Sequence, residues 1–455
     1  FKYAFPLMSK KLGIVYTPIE VVDFMINSIN DILQSQFNKR ISDEGIHIID
    51  PFTGTGTFIT RLLQSKLIPK EKLFNKYKKE IHANEIVLLA YYVACINIET
   101  VFSELYKESE YHPFEGIVLT DTFQLYEQER DMIANLLPDN SNRRTRQKNT
   151  NIKLIMGNPP YSSGQNSAND NAENLTYANL NSRIEKTYSA GSKATSVISL
   201  YDSYIKAFRW ASDRIEEEGI IGFVSGAGWI DGLAADGMRK SLAKEFSSIY
   251  IINLRGDIRK SMLTKNRDEG ENIFGQNSMT PISITFLVKK ETNIEENCKI
   301  YYSDIGRNLS KGEKLSLLNS WESIETLIKK NKFKICIPDE NNDWINQGVS
   351  EFKKFISIGS KKNYENLNIF SEYSVALKTG RDAWCVNFSI EKLRNNMHEM
   401  INFYNSEMDR FLDNGIDLSN KNLLNTDKDK IKWSGNLYKD FSKGIRKEIK
   451  EDAIY

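Results

Sequence analysis

The sequence is poor in the residues that build metal sites and disulfide frameworks. Its 455 residues include four cysteines, at 95, 298, 336 and 385, and four histidines. These lie far apart, and no spacing among them matches a ligand set, so neither a zinc site nor a disulfide framework is expected. The cysteine usage fits a reducing compartment. No apolar run of about 18 residues exists, which argues against a membrane span. No charge sign dominates either: 61 basic and 60 acidic residues leave +1. A dedicated nucleic-acid module is usually more basic, although a local patch can serve. The opening residues, Phe1 to Pro6, lack a signal-peptide pattern and do not begin with Met, so the chain is read as a piece of a longer polypeptide.

What is present is an ordinary globular composition, 40% hydrophobic and 27% charged, with length for two or three domains. Thr17-Pro18 opens an apolar helical pattern, with Thr17 as its expected N-cap and Pro18 in the first turn. Short buried-strand patterns recur at Ile46–Ile49, Glu80–Asn84, Ile117–Leu119, Lys153–Met156, Ile220–Val224, Ile249–Ile252 and Ile282–Val288, mostly separated by helical patterns. This predicts an α/β fold, a doubly wound, mostly parallel seven-stranded sheet. Two segments break the rhythm: 124–152, with a charged helix and the basic run Arg143, Arg144, Arg146 and Lys148, and 162–196, rich in Ser, Asn, Ala and Gly. A loop that long is a functional lid or a disordered insertion. Beyond about residue 300 the alternation is lost, and a boundary is placed there, followed by a mixed C-terminal region.

The chemistry concentrates at the ends of the first four strands. The fourth ends in Asn158-Pro159-Pro160-Tyr161. Prolines lock the backbone, so the Pro159 carbonyl has a fixed direction. That carbonyl and the Asn158 amide oxygen can accept two hydrogen bonds from one NH2 group, and the Tyr161 ring offers a face to a flat heterocycle. The first strand ends in Asp50-Pro51-Phe52-Thr53-Gly54-Thr55-Gly56-Thr57-Phe58. Its glycines allow a tight turn and close ligand approach at a helix N-terminus. The loop lacks the third glycine of the dinucleotide fingerprint and the Lys of a P-loop, and alone it is equally a tight connection. Glu85, after the second strand, suits ribose hydroxyls or a helix N-terminus. Asp121, after the third, reads alone as a cap or turn residue. Together they line the carboxyl edge, where open α/β sheets bind ligands.

These motifs resemble the γ group of DNA amino-methyltransferases, S-adenosylmethionine-dependent enzymes that methylate adenine N6. Asn158 to Tyr161 matches the catalytic motif, Asp50 to Phe58 the cofactor loop, and Tyr16-Thr17-Pro18 the N-terminal cofactor helix. Further stretches resemble the methyltransferase part of type ISP restriction-modification enzymes. They are Gly157 to Gln165, Leu200 to Ile205, Gly228 to Gly232, Gly237 to Lys240, Leu254 to Asp257 and Thr379 to Trp384.

The resemblance implies a sheet of the S-adenosylmethionine-dependent methyltransferase type. It implies the end of a coupling segment in 1–12, a methyltransferase domain in 13–300 and part of a target-recognition domain in 301–455. Nuclease and ATPase domains are expected elsewhere on a bacterial, cytoplasmic polypeptide acting on double-stranded DNA.

The resemblance also assigns roles. Thr17 and the backbone of Thr53 to Gly56 meet the cofactor's carboxylate and amine, Glu85 its ribose, and Asp121 its adenine amine. Asn158 and Pro159 hold the amine of a flipped adenine, Tyr161 stacks on it, and Phe274 is the candidate for its second face. Candidate DNA contacts are Arg143, Arg144, Arg146, Lys148, Tyr177, Arg183, Tyr188 and Arg381. No metal is called for. Rival readings are methylation of cytosine N4 or a protein glutamine, and a DNA-binding and coupling module alone.

Overall fold

A computed structural model describes residues 16–107, 110–127, 138–161, 177–194, 196–258, 260, 268–275, 280–290, 298–348, 354–356, 358–359, 367–370, 381–427 and 429–448. The chain divides into two compact units, Phe1–Gly348 and Val349–Tyr455.

The first unit is built on one sheet. Its strands are β1 (His47–Asp50), β2 (Ile81–Glu85), β3 (Ile117–Leu119), β4 (Ile152–Gly157), β5 (Gly219–Gly226), β6 (Ser248–Arg255), β7 (Ile282–Lys289), β8 (Lys299–Asp304) and β9 (Lys334–Cys336). Their order is β3-β2-β1-β4-β5-β7-β6-β8-β9. Strands β3 to β5 pair in parallel, whereas β7 runs antiparallel to both β5 and β6. All seven expected strands are present, but the sheet has nine, because β8 pairs with β6 and β9 with β8. These two carry the sheet past residue 300, so the first unit runs to 348 and the division lies later than the sequence pattern placed it.

Alternation along the strands fills two cores. Ile48, Ile220, Val224 and Ile252 enter one layer, with helices Ile19–Phe37, Thr57–Gln64 and Leu88–Tyr106. Ile49, Ile221, Phe223 and Ile251 enter the other, with helices Ser203–Arg214 and Asp236–Glu245. This is the period-2 pattern of a sheet covered on both faces. Helix Ile19–Phe37 approaches β5 so closely that a Cβ on Gly222 would lie 2.9 Å from Ile29 Cδ1. Helix Leu88–Tyr106 is long and apolar enough, by composition, to cross a membrane. Here its Ala90, Ala94, Ile98 and Phe102, at i,i+4 spacing, are buried in the domain, while Leu88, Leu89, Tyr92 and Ile96 are exposed.

The second unit is helical where described. Helix Ile390–Asp413 starts at Ser389, whose side chain accepts from Lys392 N, and buries Met400, Tyr404, Met408 and Phe411. Helix Gly435–Ser442, capped by Ser434, adds Phe441 to that core.

Candidate active site

The loop after β1 is shaped by its own hydrogen bonds. Asp50 Oδ1 accepts from Phe52 N at 3.0 Å, and its carbonyl accepts from Thr53 Oγ1 at 2.9 Å. Thr53 N donates to Asn84 O at 3.0 Å, and Gly56 N to Thr53 O at 2.9 Å. Gly54 and Gly56 take positive φ, 57° and 88°, the left-handed region that glycine enters without a Cβ penalty. Nothing lies within 4 Å of a Cβ on Gly54, so the loop opens there onto free space. Phe58 points down into the core, and Phe52 packs on Phe123 and Phe223.

Asp50 is fully buried. Its Oδ2 has no hydrogen-bond partner, and burial pushes its pKa up to about 8, with the Glu85 carboxylate adding to the effect. Glu85, at the end of β2, binds Gly54 N through Oε2 and Val87 N through Oε1, both at 2.7 Å. Burial raises its pKa against those two amides. Each carboxylate oxygen has a second lone pair, so Glu85 can shape the loop and still accept from hydroxyls. After β3, Asp121 Oδ1 accepts from Phe123 N at 2.9 Å, while Oδ2 accepts from the Tyr177 hydroxyl at 2.7 Å. Thr122 joins the strand ends, donating to Pro51 O at 2.5 Å and accepting from Asn84 Nδ2 at 3.2 Å.

Asn158 follows β4, and its Nδ2 donates to Thr17 Oγ1 at 3.0 Å. The expected Thr17 cap is therefore corrected. Pro18 is the N-cap of helix Ile19–Phe37, with extended ψ and no side-chain cap bond, and the Thr17 hydroxyl serves Asn158. Tyr16, before it, is exposed. Pro159 is buried and Pro160 half-buried. Gly157 has a steric role: a Cβ there would lie 2.8 Å from Asp50 Oδ1.

The Tyr161 hydroxyl donates to Val224 O at 3.0 Å, which fixes its ring beside the end of β5. Phe274 touches that ring, with centroids 5.8 Å apart and planes at 55°. A base sandwiched between two parallel rings needs about 7 Å, twice the optimal carbon contact distance. Phe274 thus buttresses Tyr161 in this arrangement and does not stand opposite it across a base-sized gap. It is held by Asn272, whose Oδ1 accepts from Phe274 N and whose Nδ2 donates to Gly256 O and Thr280 O. Below that turn, buried Lys314 donates to three carbonyls, Leu254, Glu269 and Glu271, at 2.8, 3.1 and 2.7 Å.

The candidate DNA contacts are scattered. Arg143, Arg144, Arg146 and Lys148 lie on helix Pro138–Asn149, within the segment where a charged helix was expected. The Asn140 amide pairs with both backbone groups of Leu119, covering the β3 edge, and Arg146 bonds Glu115. Arg183 makes a two-pronged ion pair with Asp213 at 3.0 and 2.7 Å. Tyr188 is wholly buried in the second core, so in this arrangement it cannot reach DNA. Arg381 bonds Lys432 O and Ser434 Oγ within the C-terminal unit. Residues 162–176 and 371–380, including the expected motif residues there, lie outside the described residues.

Sequence reasoning missed Asn272, Lys314 and Lys206, whose ammonium stands 5.2 Å from the centre of the Tyr177 ring. A lysine inside a helical pattern reads as a solvated face, and nothing local marks one that is buried. Arg239 is another such cation: it is fully buried and bonds Asn342 O, Trp229 O, Gly232 O and Asp343. Among the described residues, no group of three or more His, Cys, Asp and Glu is placed to hold a metal ion.

Strand order, a cofactor-type loop and an Asn-Pro-Pro-Tyr end on β4 define a DNA amino-methyltransferase domain. Residues 2–190 match the N-6 DNA methylase family, and residues 368–455 match the type ISP C-terminal specificity domain. The chain is 42% identical to the ATP-dependent type ISP restriction-modification enzyme LlaBIII bound to DNA, over 99% of this chain and 29% of that one, with TM-score 0.86. It is also 42% identical to a nuclease-deletion mutant of the type ISP enzyme LlaGI in complex with a DNA substrate mimic. That match covers 96% of this chain and 35% of that one, with TM-score 0.85. A DrdV–DNA complex is 32% identical over 100% of this chain and 43% of that one, with TM-score 0.84. No curated protein sequence matches the chain. The chain belongs to the type ISP restriction-modification enzymes, and it spans less than half the length of these solved relatives.

Proposed function

We propose that this chain is the modification part of a type ISP restriction-modification enzyme, transferring a methyl group from S-adenosylmethionine to N6 of an adenine flipped out of double-stranded DNA. Nuclease and ATPase activities belong, on this reading, to other parts of a longer polypeptide. The observation that carries it is the placement of Asn158. It follows the strand beside β1, is tied to Thr17 at 3.0 Å, and shares the carboxyl edge with Asp50, Glu85 and Asp121.

The residues fit the cofactor. The open space above Gly54 and the loop's positive-φ backbone make a cradle that a side chain would fill. Glu85 and Asp121 supply carboxylates at adjacent strand ends, suited to ribose hydroxyls and to the adenine amine. The amino-acid end falls to Thr17, whose hydroxyl can still donate, and to the Thr53–Gly56 backbone, where the amides of Thr53, Gly54 and Gly56 are already bonded and the carbonyls can accept from the amine. When bound, the cofactor supplies an electrophilic methyl on a sulfonium.

The remaining work falls to the chain. Flipping the base costs about a few kcal/mol. Stacking on Tyr161, worth about 1–3 kcal/mol on nucleic-acid platforms, offsets much of that. Asn158, its amide nitrogen turned to Thr17, directs its oxygen to the target NH2, and the Pro159 carbonyl takes the second hydrogen. The amine lone pair is then aimed at the methyl, which is catalysis by orientation and charge placement.

The test is methyl transfer to mixed-sequence DNA, with nucleosides identified by mass spectrometry. N6-methyladenine is expected. N4-methylcytosine would reassign the target base, and specific binding with no transfer would leave a recognition module. Asn158→Ala should cut turnover about a hundredfold or more while cofactor affinity stays near wild type. Near-normal turnover in that variant would sink the assignment.

A further inference from the structure

Tyr177 lies at the carboxyl edge of the sheet, beside Asp121. Two acidic residues of the loop after β3 hold it there. Asp121 Oδ2 accepts from the Tyr177 hydroxyl at 2.7 Å, a short, charge-assisted bond. Six residues on, the Glu127 carboxylate takes the backbone amides of Asn179 and Leu180 at 2.9 and 3.0 Å. The Tyr177 ring is locked as well. It packs edge-on to Phe123, centroids 5.3 Å apart, and Lys206 Nζ stands 5.2 Å from its centre. Lys206 is itself only 3% exposed, on the helix that follows Leu200 to Asp202.

We propose that Tyr177 is a positioning residue of the cofactor pocket, fixing the Asp121 carboxylate that receives the purine 6-amino group and tying donor recognition to the chain that leaves the catalytic motif. The inference rests on the reading that Asp121 receives that amine. A carboxylate held by Phe123 N on one oxygen and by a tyrosine hydroxyl on the other has one rotamer. Each carboxylate oxygen can accept more than one hydrogen bond, and a side chain so ordered loses little freedom when a ligand donor arrives.

The test uses Tyr177→Phe, which keeps the ring against Phe123 and Lys206 and removes only the hydroxyl. Calorimetry on the full chain compares S-adenosylhomocysteine with its counterpart lacking the 6-amino group. Tyr177→Phe should weaken the amino ligand several-fold, up to about tenfold, as the freedom returned to the Asp121 side chain implies, and leave the deamino ligand unchanged. KM for S-adenosylmethionine should rise while kcat at saturation is kept, a split that general loosening of the fold would not produce. Unchanged affinity for the amino ligand, or equal loss for both ligands, would overturn the proposal. Asp121→Ala separates the two levels. If that variant still prefers the amino ligand, the reading of the pocket fails. If it loses the preference while Tyr177→Phe matches wild type, only the role of Tyr177 fails.

Discussion

Asp50 gives the sharpest physical prediction. Its side chain is wholly buried, with one oxygen on Phe52 N and the other without a hydrogen-bond partner. Burial, then repulsion from Glu85, carries its pKa from 3.8 to about 8. A carboxyl whose folded value is raised contributes stability that is fully present below its unfolded value and lost as pH rises through the folded one. Each pH unit in that window is worth about 1.4 kcal/mol. Between pH 5 and pH 7.5 the wild type should lose about 3 kcal/mol relative to Asp50→Asn. The variant carries its own penalty, about 1–3 kcal/mol for an amide donor facing no acceptor, but that penalty does not depend on pH. The other titrating groups are common to both proteins and largely cancel in the difference. Urea denaturation of the ligand-free proteins at the two pH values measures it. A wild-type-to-variant gap that stays constant across the window would refute the argument.

Two further substitutions test the scaffold of the site. Gly157→Ala places a methyl 2.8 Å from Asp50 Oδ1, which Phe52 N holds in place. A loss of about 1–3 kcal/mol is expected in denaturation, as for other overpacked sites. Lys314→Met leaves the carbonyls of Leu254, Glu269 and Glu271 without their shared donor. It should cost about 3 kcal/mol or more, and a midpoint within error of wild type would show that water replaces the ammonium.

Much of this fold was legible because its central strands are short runs of Ile, Val, Leu and Phe with turn residues at their ends. The two strands that escaped are of another kind. Lys299–Asp304 mixes Lys, Tyr, Ser and Asp, and Lys334–Cys336 is three residues at the sheet's edge. Neither has the apolar continuity that marks a strand covered on both faces. The basic run at 143–148 was legible as charge within a helical segment, but its place over the β3 edge was not. The contact that fixes it there, Asn140 to Leu119, joins residues 21 apart.

The site divides the same way. Asp50, Glu85, Asp121 and Asn158 could be read off because each ends a strand, and the strand ends of a parallel sheet converge on one edge. Their partners could not, because those pairings exist only after folding. Thr17 lies 141 residues from Asn158, and Tyr177 lies 56 from Asp121. Such partners decide what a motif residue can still do. Thr17 turns the Asn158 amide, Gly54 and Val87 share Glu85, and Tyr177 shares Asp121. A motif therefore names the reacting group, whereas its aim and remaining hydrogen-bonding capacity are set by residues that carry no motif of their own. Substitutions at those partners should alter affinity and selectivity by up to about tenfold, the worth of single hydrogen bonds, while loss of Asn158 should cut the transfer itself by about a hundredfold or more.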